Sequence, residues 1–458
     1  MSKVHEIFLF ILMAALATFI IFNRLDVSSI YDWDETRNAE NALEIVRTGN
    51  WLVTRWGKEP DLWNLKPPFG AWLMAIGFKI GGVSKLTIRF WSALFGVLTI
   101  MVVFLFGRSF TNVWTGVIAA IFLLTIESFL GVHGARTGDY DTMVTFFITT
   151  AIFCFYLAIK KGKKIYWLGS GIATGLGFLS KSVIGLFPLP IAVLQLFYLK
   201  LTRKKFFFKG AWLGLLSLLL VITPWLVARF SVGGEFIRQM YLRDIRLRMN
   251  VPLEGHRGDL WFYYYVLSDN LGRWLFPLFV FCLFFCKAHL LLIWLAVVFG
   301  VFTLAKTKID WYLLPIWPAV GLLIGLGIEE LGQRLKRLNR WLPGIFVFLG
   351  LILIVSQINL KPKVEQDFFQ ESLENFRPYL LKMERVYLPQ RMLRPNIWFQ
   401  FNAMVLKGAV GYEDWRNLEI KKGEGLIVND IDEYKILVEN KSYRFLLQVH
   451  SLYLFVKI

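Results

Sequence analysis

The chain has 458 residues, 56% of them hydrophobic and 18% charged, with a mean hydropathy of +0.53, which excludes a purely soluble protein. The formal net charge of +18 raises the question of nucleic acid. Lys and Arg fall mostly in short clusters between apolar runs, however, where membrane topology accounts for them and nucleic acid is excluded as a partner.

A window of roughly 19 residues, the helix length that crosses about 30 Å of hydrocarbon, finds a first span at 7–23. Further spans are expected at 88–107, 112–130, 141–159, 165–180, 182–199, 209–228, 270–287, 289–304, 311–328 and 341–358, eleven in all. The run 165–199, interrupted by Lys181, reads as two short spans or a re-entrant pair. The first segment reads as an anchor, because no small-residue cleavage site follows it before the charged cluster. Cys154, Cys282 and Cys286 lie inside apolar runs without partners at metal-ligand spacing and read as packing residues.

The basic loops "KKGKK" (160–164), "KLTRKKFFFK" (200–209) and "RLKRLNR" (334–340) fall on one side if every span crosses, and the positive-inside bias makes that side cytoplasmic. Segments 24–87, 131–140, 229–269, 305–310 and the tail then lie outside. From residue 360 the chain changes character, with short β-branched and aromatic runs such as "RVYLP" and "GLIVND" between turn residues. A transmembrane domain at 1–359 and a small soluble α/β domain at 360–458 are expected.

The unusual polar residues collect on the outer side. In "YDWDETRNAE" (31–40) and the residues after it, Ala39, Ala42, Leu43 and Val46 recur at helical spacing and Gly49 stands where a C-terminal cap belongs. Asp32 or Asp34 would cap this helix, and Asp32 with Glu35 three residues on resembles a capping box. Alternatively Asp34 and Arg37, one turn apart, share a face and point at a ligand. In "WNLKPPFGAWLMAIGFKIGG" (63–82), Lys66 precedes two prolines and an apolar stretch too short to span, which is expected to lie in the interface. Lys66 would sit near phosphate there, or simply snorkel.

"HGARTGDYD" (133–141) carries His133, Arg136, Asp139 and Asp141 directly before a span, where acidic groups are costly unless paired or functional. Asp141 could equally cap the helix that begins there. Segment 229–270 holds Arg238, Arg243, Arg246, Arg248 and His256 without a compensating acidic run, which suits an anionic ligand or anionic headgroups in general. "AKTKIDWYLLPIWP" (305–318) sets Lys306 and Lys308 outside, against the positive-inside bias, just before a span with Tyr312. Carboxylates and phosphate-holding cations on one membrane face suit a lipid-linked anionic substrate.

These stretches, from "DWDETRNAENALEIVRTGNWLV" through "KPPFGAWL", "ARTGDYDTMVTFF", "GLGFLSKSVIGL" and "EGHRGDLWFYYYVL" to "KTKIDWYLLPIWPAV", resemble in family order the bacterial branch of the protein O-mannosyltransferase superfamily, including the transferases that place aminoarabinose on lipid A. The resemblance covers about residues 30–320. It implies a GT-C fold with interfacial helices and an inverting glycosyltransferase that moves a sugar from a polyprenyl phosphate to a glycolipid or protein acceptor. The setting would be the periplasmic face of the bacterial inner membrane, with a periplasmic C-terminus and a monomeric chain among membrane lipids. It further implies catalytic roles for Asp34 and for Asp139 or Asp141. Donor-phosphate contacts would come from Arg37, Lys66, His256, Lys306, Lys308 and Tyr312, and acceptor or orienting roles from Glu35 and Arg136. No metal-ligand cluster is evident, so a divalent metal is possible without being required. One departure is Leu65, where a Glu often precedes the Lys-Pro-Pro motif. The competing reading is a transporter or flippase of a lipid-linked sugar, which predicts polar residues at mid-membrane in matched halves.

Overall fold

The computed structural model describes residues 2–335, 341–357, 367–405 and 408–458. The boundary expected at 359/360 and most of the basic loop 334–340 lie outside these residues.

Helix α1 (Lys3–Phe22) is followed by α2 (Asp34–Thr48), the small antiparallel pair β1 (Arg55–Trp56) and β2 (Glu59–Pro60), and α3 (Phe69–Gly81). The bundle continues with α4 (Lys85–Phe110), α5 (Val113–Leu123), the single turn α6 (Glu127–Leu130), α7 (Asp141–Lys161) and α8 (Lys164–Lys181). After a 3₁₀ turn at Ser182–Leu186 come α9 (Pro188–Leu201), α10 (Ala211–Ser231) and the short α11 (Glu235–Gln239) and α12 (Arg248–Asn250), which flank a π-helical stretch at Met240–Leu247. Helices α13 (Phe262–Phe285), α14 (His289–Leu304), α15 (Trp317–Arg334) and α16 (Leu342–Gln357) complete the bundle.

Every apolar run of the sequence therefore carries helix. Among the described residues six are long and apolar enough to cross a membrane, and up to seven if Lys164–Leu186 and Pro188–Leu201, bent by 60° to one another, count as one span. Helices such as α5, with 11 residues, and α14, with 16, fall short of the roughly 20 residues that hydrocarbon demands, so eleven full spans exceed what the helix lengths support. The bend lies between Leu186 and Pro188; α8 itself ends earlier, at Lys181, where Ser182 takes a positive φ of 54° before the 3₁₀ turn.

Between apolar helices in a membrane the hydrophobic effect gives no preference for a neighbour over lipid, so close backbone approach matters more. A Cβ on Gly107 of α4 would lie 2.7 Å from Gly116 of α5, and only glycine permits that contact. The largest buried cluster joins α1, α4, α5, α7 and α13–α15. A second packs α2 and α3 against α4 and α7, with Ala39, Ala42 and Leu43 of α2 buried as the helical spacing predicts.

The C-terminal part contains α17 (Phe368–Leu380), β3 (Val386–Pro389), α18 (Pro395–Met404), β4 (Ala409–Tyr412), β5 (Gly425–Val428), α19 (Ile431–Glu439), β6 (Tyr443–Val449) and β7 (Leu452–Lys457). Its sheet has the order β4-β3-β5-β7-β6, parallel across β4-β3-β5 and antiparallel across β5-β7-β6. Strands β3 and β5 are buried throughout because helices cover the sheet centre, which is why their sequences run apolar without alternation.

One buried ion pair anchors α2 to the bundle. Arg89 of α4, 1% exposed, donates to both oxygens of Glu35 at 2.7 and 3.0 Å and to the carbonyls of Leu25, Ser28 and Ser29. Glu35 also accepts from the Tyr31 and Gly138 amides at 2.8 Å. Removing one member strands the other charge in a dry site, a loss of about 3–5 kcal/mol. Arg89→Met should therefore lower the thermal midpoint of the detergent-solubilised protein sharply, and a wild-type midpoint would refute the anchor.

Candidate active site

Six segments, within 32–37, 63–66, 133, 181–184, 244–256 and 309–312, meet around a cavity of ≈ 590 Å³. The basic loops 160–164 and 200–209 sit together elsewhere, joined by the Phe207 amide donating to the Ile159 carbonyl at 3.1 Å.

Asp34 is the first residue of α2. Its predecessor Trp33 has φ 67° and ψ −100°, a strained conformation for a residue with a side chain, and makes no side-chain cap. The expected capping box does not form: Glu35 serves Arg89, and Asp32 accepts instead from the Asn396 amide at 3.0 Å, near the start of α18. Gly49 does close the helix in the left-handed region at φ 69°, donating to the Ile45 carbonyl.

Asp34 Oδ1 accepts from Lys66 Nζ at 2.8 Å, and Asp34 Oδ2 lies 3.9 Å from His133 Nδ1. The same His133 nitrogen is 3.3 Å from Asp139 Oδ2, which also accepts from Thr137 Oγ1 at 2.7 Å. One imidazole nitrogen thus lies within ion-pair distance of two carboxylates from separate loops. The His133 ring lies flat on Trp311, centroids 3.6 Å apart, and Trp311 also meets the edge of His256 at 6.1 Å.

Lys66 reaches this place because Pro67 and Pro68 stiffen the chain before α3, and because its ammonium also contacts Asn38 Oδ1 at 3.4 Å. Leu65, 2% exposed, packs in one cluster with Phe178 and Trp225, so an apolar contact stands directly before Lys66. Arg37 lines the cavity as Asp34 does, one turn along α2. Its guanidinium pairs with buried Asp61 at 3.2 Å and faces the rings of Trp56 and Trp63.

Asp141 is turned to Lys181, which lines the cavity and approaches both carboxylate oxygens at 2.5 Å. The facing wall carries Asp244, Arg248, Glu254 and His256, with Tyr312 beside Lys181 at 5.9 Å from ammonium to ring. Glu254 pairs with Arg243 at 2.7 Å and Arg248 at 3.4 Å, and Asp244 lies 3.7 Å from Arg248. The cations of 229–270 are therefore partly compensated by acids the sequence scatters among them.

Besides Glu35, which serves Arg89, two expected site residues are employed elsewhere and a third stands apart. Lys308 donates its ammonium to the carbonyls of Phe302 and Thr303 and so caps the end of α14. Arg136 does the same for α1, donating to Ile20, Ile21 and Asn23. Lys306 is exposed and outside the cavity lining. Helix C-termini present free carbonyls that attract cations as phosphates do, so sequence alone confuses the two roles.

Burial raises the Asp34 carboxyl, but Lys66, Lys181 and His133 outweigh it and hold the group well below the usual carboxylate range. Burial likewise opposes charge on Asp139 and Lys66, and their partners again prevail, His133 lowering Asp139 and Asp34 raising Lys66. His133 is pulled down by burial and pushed up further by Asp139 and Asp34, reaching about 9 against an ordinary 6.5. Its stabilising contribution is then full below pH 6.5 and lost as pH climbs through about 9. The gap in thermal midpoint between wild type and His133→Gln should shrink across that window, and a gap independent of pH would refute the pairing.

Residues 65–227 match the family model described as dolichyl-phosphate-mannose-protein mannosyltransferase. A protein of Proteus mirabilis named undecaprenyl phosphate-alpha-4-amino-4-deoxy-L-arabinose arabinosyl transferase 1 is 26% identical over 376 residues, which is 78% of this chain and 66% of that protein's length. A protein of Aquifex aeolicus is 27% identical over 81% of this chain and 74% of its own. The crystal structure of ArnT from Cupriavidus metallidurans bound to undecaprenyl phosphate superposes with a TM-score of 0.72 at 18% identity, covering 100% of this chain and 99% of that one. The archaeal oligosaccharyltransferase AglB from Archaeoglobus fulgidus shares the fold more distantly, with a TM-score of 0.52 at 13% identity over 90% and 65% of the two chains. Over residues 65–227 the chain is thus similar to the mannosyltransferase family, and its fold is the GT-C fold of these glycosyltransferase structures.

Proposed function

We propose that this enzyme moves a sugar from a polyprenyl phosphate to a lipid or protein acceptor, with inversion, at the periplasmic face of the inner membrane. The single observation that carries the reading is the cavity in which Asp34 meets Lys66 and, through His133, Asp139, facing Lys181, Arg248 and His256. The acceptor oxygen attacks the anomeric carbon from the side opposite the phosphate. The bond from that carbon to the phosphate oxygen breaks, and its electron pair leaves on polyprenyl phosphate. Charge grows on the departing phosphate, and preorganised cations stabilise it better than water does.

Asp34 is the group we assign to the acceptor. A carboxylate held so strongly in its ionised form is a weak base, and general-base catalysis works best near the working pH. An acceptor that is already ionised, such as a phosphate group, needs no proton removed, and Asp34 then serves it through Lys66, the cation it holds at 2.8 Å and whose charge attracts the anion. Lys66 and Lys181 supply positive charge on the same side, so the reaction needs no divalent ion in this reading, although Asp34, His133 and Asp139 form a cluster of the size that holds one. The periplasmic placement rests on the basic loops, which gather apart from the cavity. A monomer suffices because one chain supplies every wall. A flippase would need polar groups along a path through mid-membrane, whereas these crowd one end of the bundle.

The decisive experiment incubates purified enzyme with a panel of polyprenyl-phosphate sugars and with acceptor lipids that carry or lack phosphate. Asp34→Asn should lose about 10²-fold or more in turnover while still binding undecaprenyl phosphate; undiminished turnover would sink the assignment. Lys66→Ala should raise the donor KM by about 10-fold, and an unaltered KM would remove Lys66 from the phosphate. Turnover should survive EDTA within about 2-fold, a far smaller change than the loss of a Lewis acid causes; abolition that added Mg²⁺ or Mn²⁺ restores would assign the Asp34–His133–Asp139 cluster to a metal instead.

A further inference from the structure

The four residues that lead into Trp33 and Asp34 are held by the C-terminal part of the chain. Ile30 donates its amide to Gln370 Oε1 at 2.9 Å and accepts on its carbonyl from Gln370 Nε2 at 2.8 Å, so one side chain answers both backbone groups as a neighbouring strand would. The Asp367 amide donates to Ser29 Oγ at 2.9 Å, Asn396 Nδ2 reaches the Ile30 carbonyl at 3.3 Å, and the Asn396 amide donates to Asp32 Oδ1 at 3.0 Å. Gln400 Nε2 donates to Gln370 Oε1 at 2.6 Å and fixes its orientation. Gln370, Asn396 and Gln400 are all buried, at 1%, 3% and 6% exposure.

Polar side chains are costly to bury and more easily replaced by apolar ones if docking were the only task. These amides converge on the one segment whose geometry decides where Asp34 points. Trp33 keeps a backbone conformation that residues with a side chain rarely adopt, and such a conformation persists only where surrounding contacts over-determine it. On the bundle side Glu35 and Arg89 grip the turn, with Thr36 Oγ1 donating to the Tyr31 carbonyl at 2.7 Å. The C-terminal part grips it from the opposite side.

We infer that Gln370, Asn396 and Asp367 form a clamp that positions Asp34 against Lys66 and His133, which makes the C-terminal part of the chain a working component of the active site. These are positioning residues: they touch the Ser29–Asp32 segment and act through it. A misplacement of about 1 Å at a reacting group can cost on the order of 10²-fold in rate. The inference rests on the proposed transfer only for its kinetic readout.

The test uses the full chain. Gln370→Leu removes both bonds to Ile30 while filling the space, and Gln370→Glu keeps the acceptor for the Ile30 amide and serves as the conservative partner. Should Gln370→Leu fail to fold, Gln370→Glu combined with Ser29→Ala loosens the segment more gently. The first readout is the His133 titration midpoint, followed by ¹³C-histidine NMR and assigned by the signal missing in His133→Gln. It needs no substrate. The second is kcat and donor KM. Loosening should move the His133 midpoint down from about 9, lower kcat by about 10-fold or more, and leave donor KM within about 2-fold, with Gln370→Glu between the extremes. Wild-type values of the His133 midpoint in a loosened variant would overturn the clamp whatever happens to thermal stability. An enzyme that transfers no sugar from any donor would instead defeat the proposed function, and the His133 midpoint would still decide the clamp.

Discussion

A carboxylate shut away beside a lipid-facing bundle stays ionised only if cations accompany it, and this requirement organises the whole outer end of the fold. Asp34 has Lys66, Asp139 has His133, Asp141 has Lys181 and Glu35 has Arg89. Three of these four pairs tie together segments that are distant in sequence, 32 to 54 residues apart. In those three pairs electrostatic balance does the work of assembling the segments, because the acid of one is costly to bury until the other brings its base. The apolar helices supply depth and rigidity, while the charges decide which loops meet.

The pairs are unequal in consequence. Glu35 and Arg89 are closed off and satisfied on every side, so they act as a fixed mounting for α2. Asp34 and Lys66 border open space, with Trp311 and His256 opposite, and keep capacity for a further anion or cation. That contrast separates scaffold from chemistry more sharply than residue type does, since Glu35 and Asp34 are adjacent in the chain. Arg37 occupies an intermediate state: Asp61 and two tryptophans steer it, yet it still faces the cavity. The conformation of the Trp33 turn, squeezed between the Arg89 mounting and the Gln370 bonds, is what directs the two neighbouring acids to opposite tasks.

Much of this was legible in the residues. The spacing of Ala39, Ala42 and Leu43 and the position of Gly49 delimit α2, and the one-turn separation of Asp34 and Arg37 sets both toward one cavity. The interruption of the apolar run at Lys181 marks the end of α8. The partners were hidden. Asp61 and Glu254 have no spacing signal that ties them to Arg37 or Arg248, and although His133 shares its loop with Asp139, nothing in the sequence links it to Asp34. Lys308 and Arg136 illustrate the opposite error, since a cation near a membrane surface is equally at home on a phosphate or on the carbonyls that end a helix.

By itself the sequence determined that the chain lives in a membrane, where its helices run, and which stretches carry charge that lipid would not tolerate, because hydropathy and helical period are local properties of the chain. Only the tertiary structure decided which acid meets which base, that Glu35 braces while Asp34 faces the cavity, and that residues beyond 366 grip the segment before Asp34. Those outcomes depend on distances between segments that sequence separation does not encode, and a difference of an ångström or two in a dry site changes an ion pair from a brace into a reactive group.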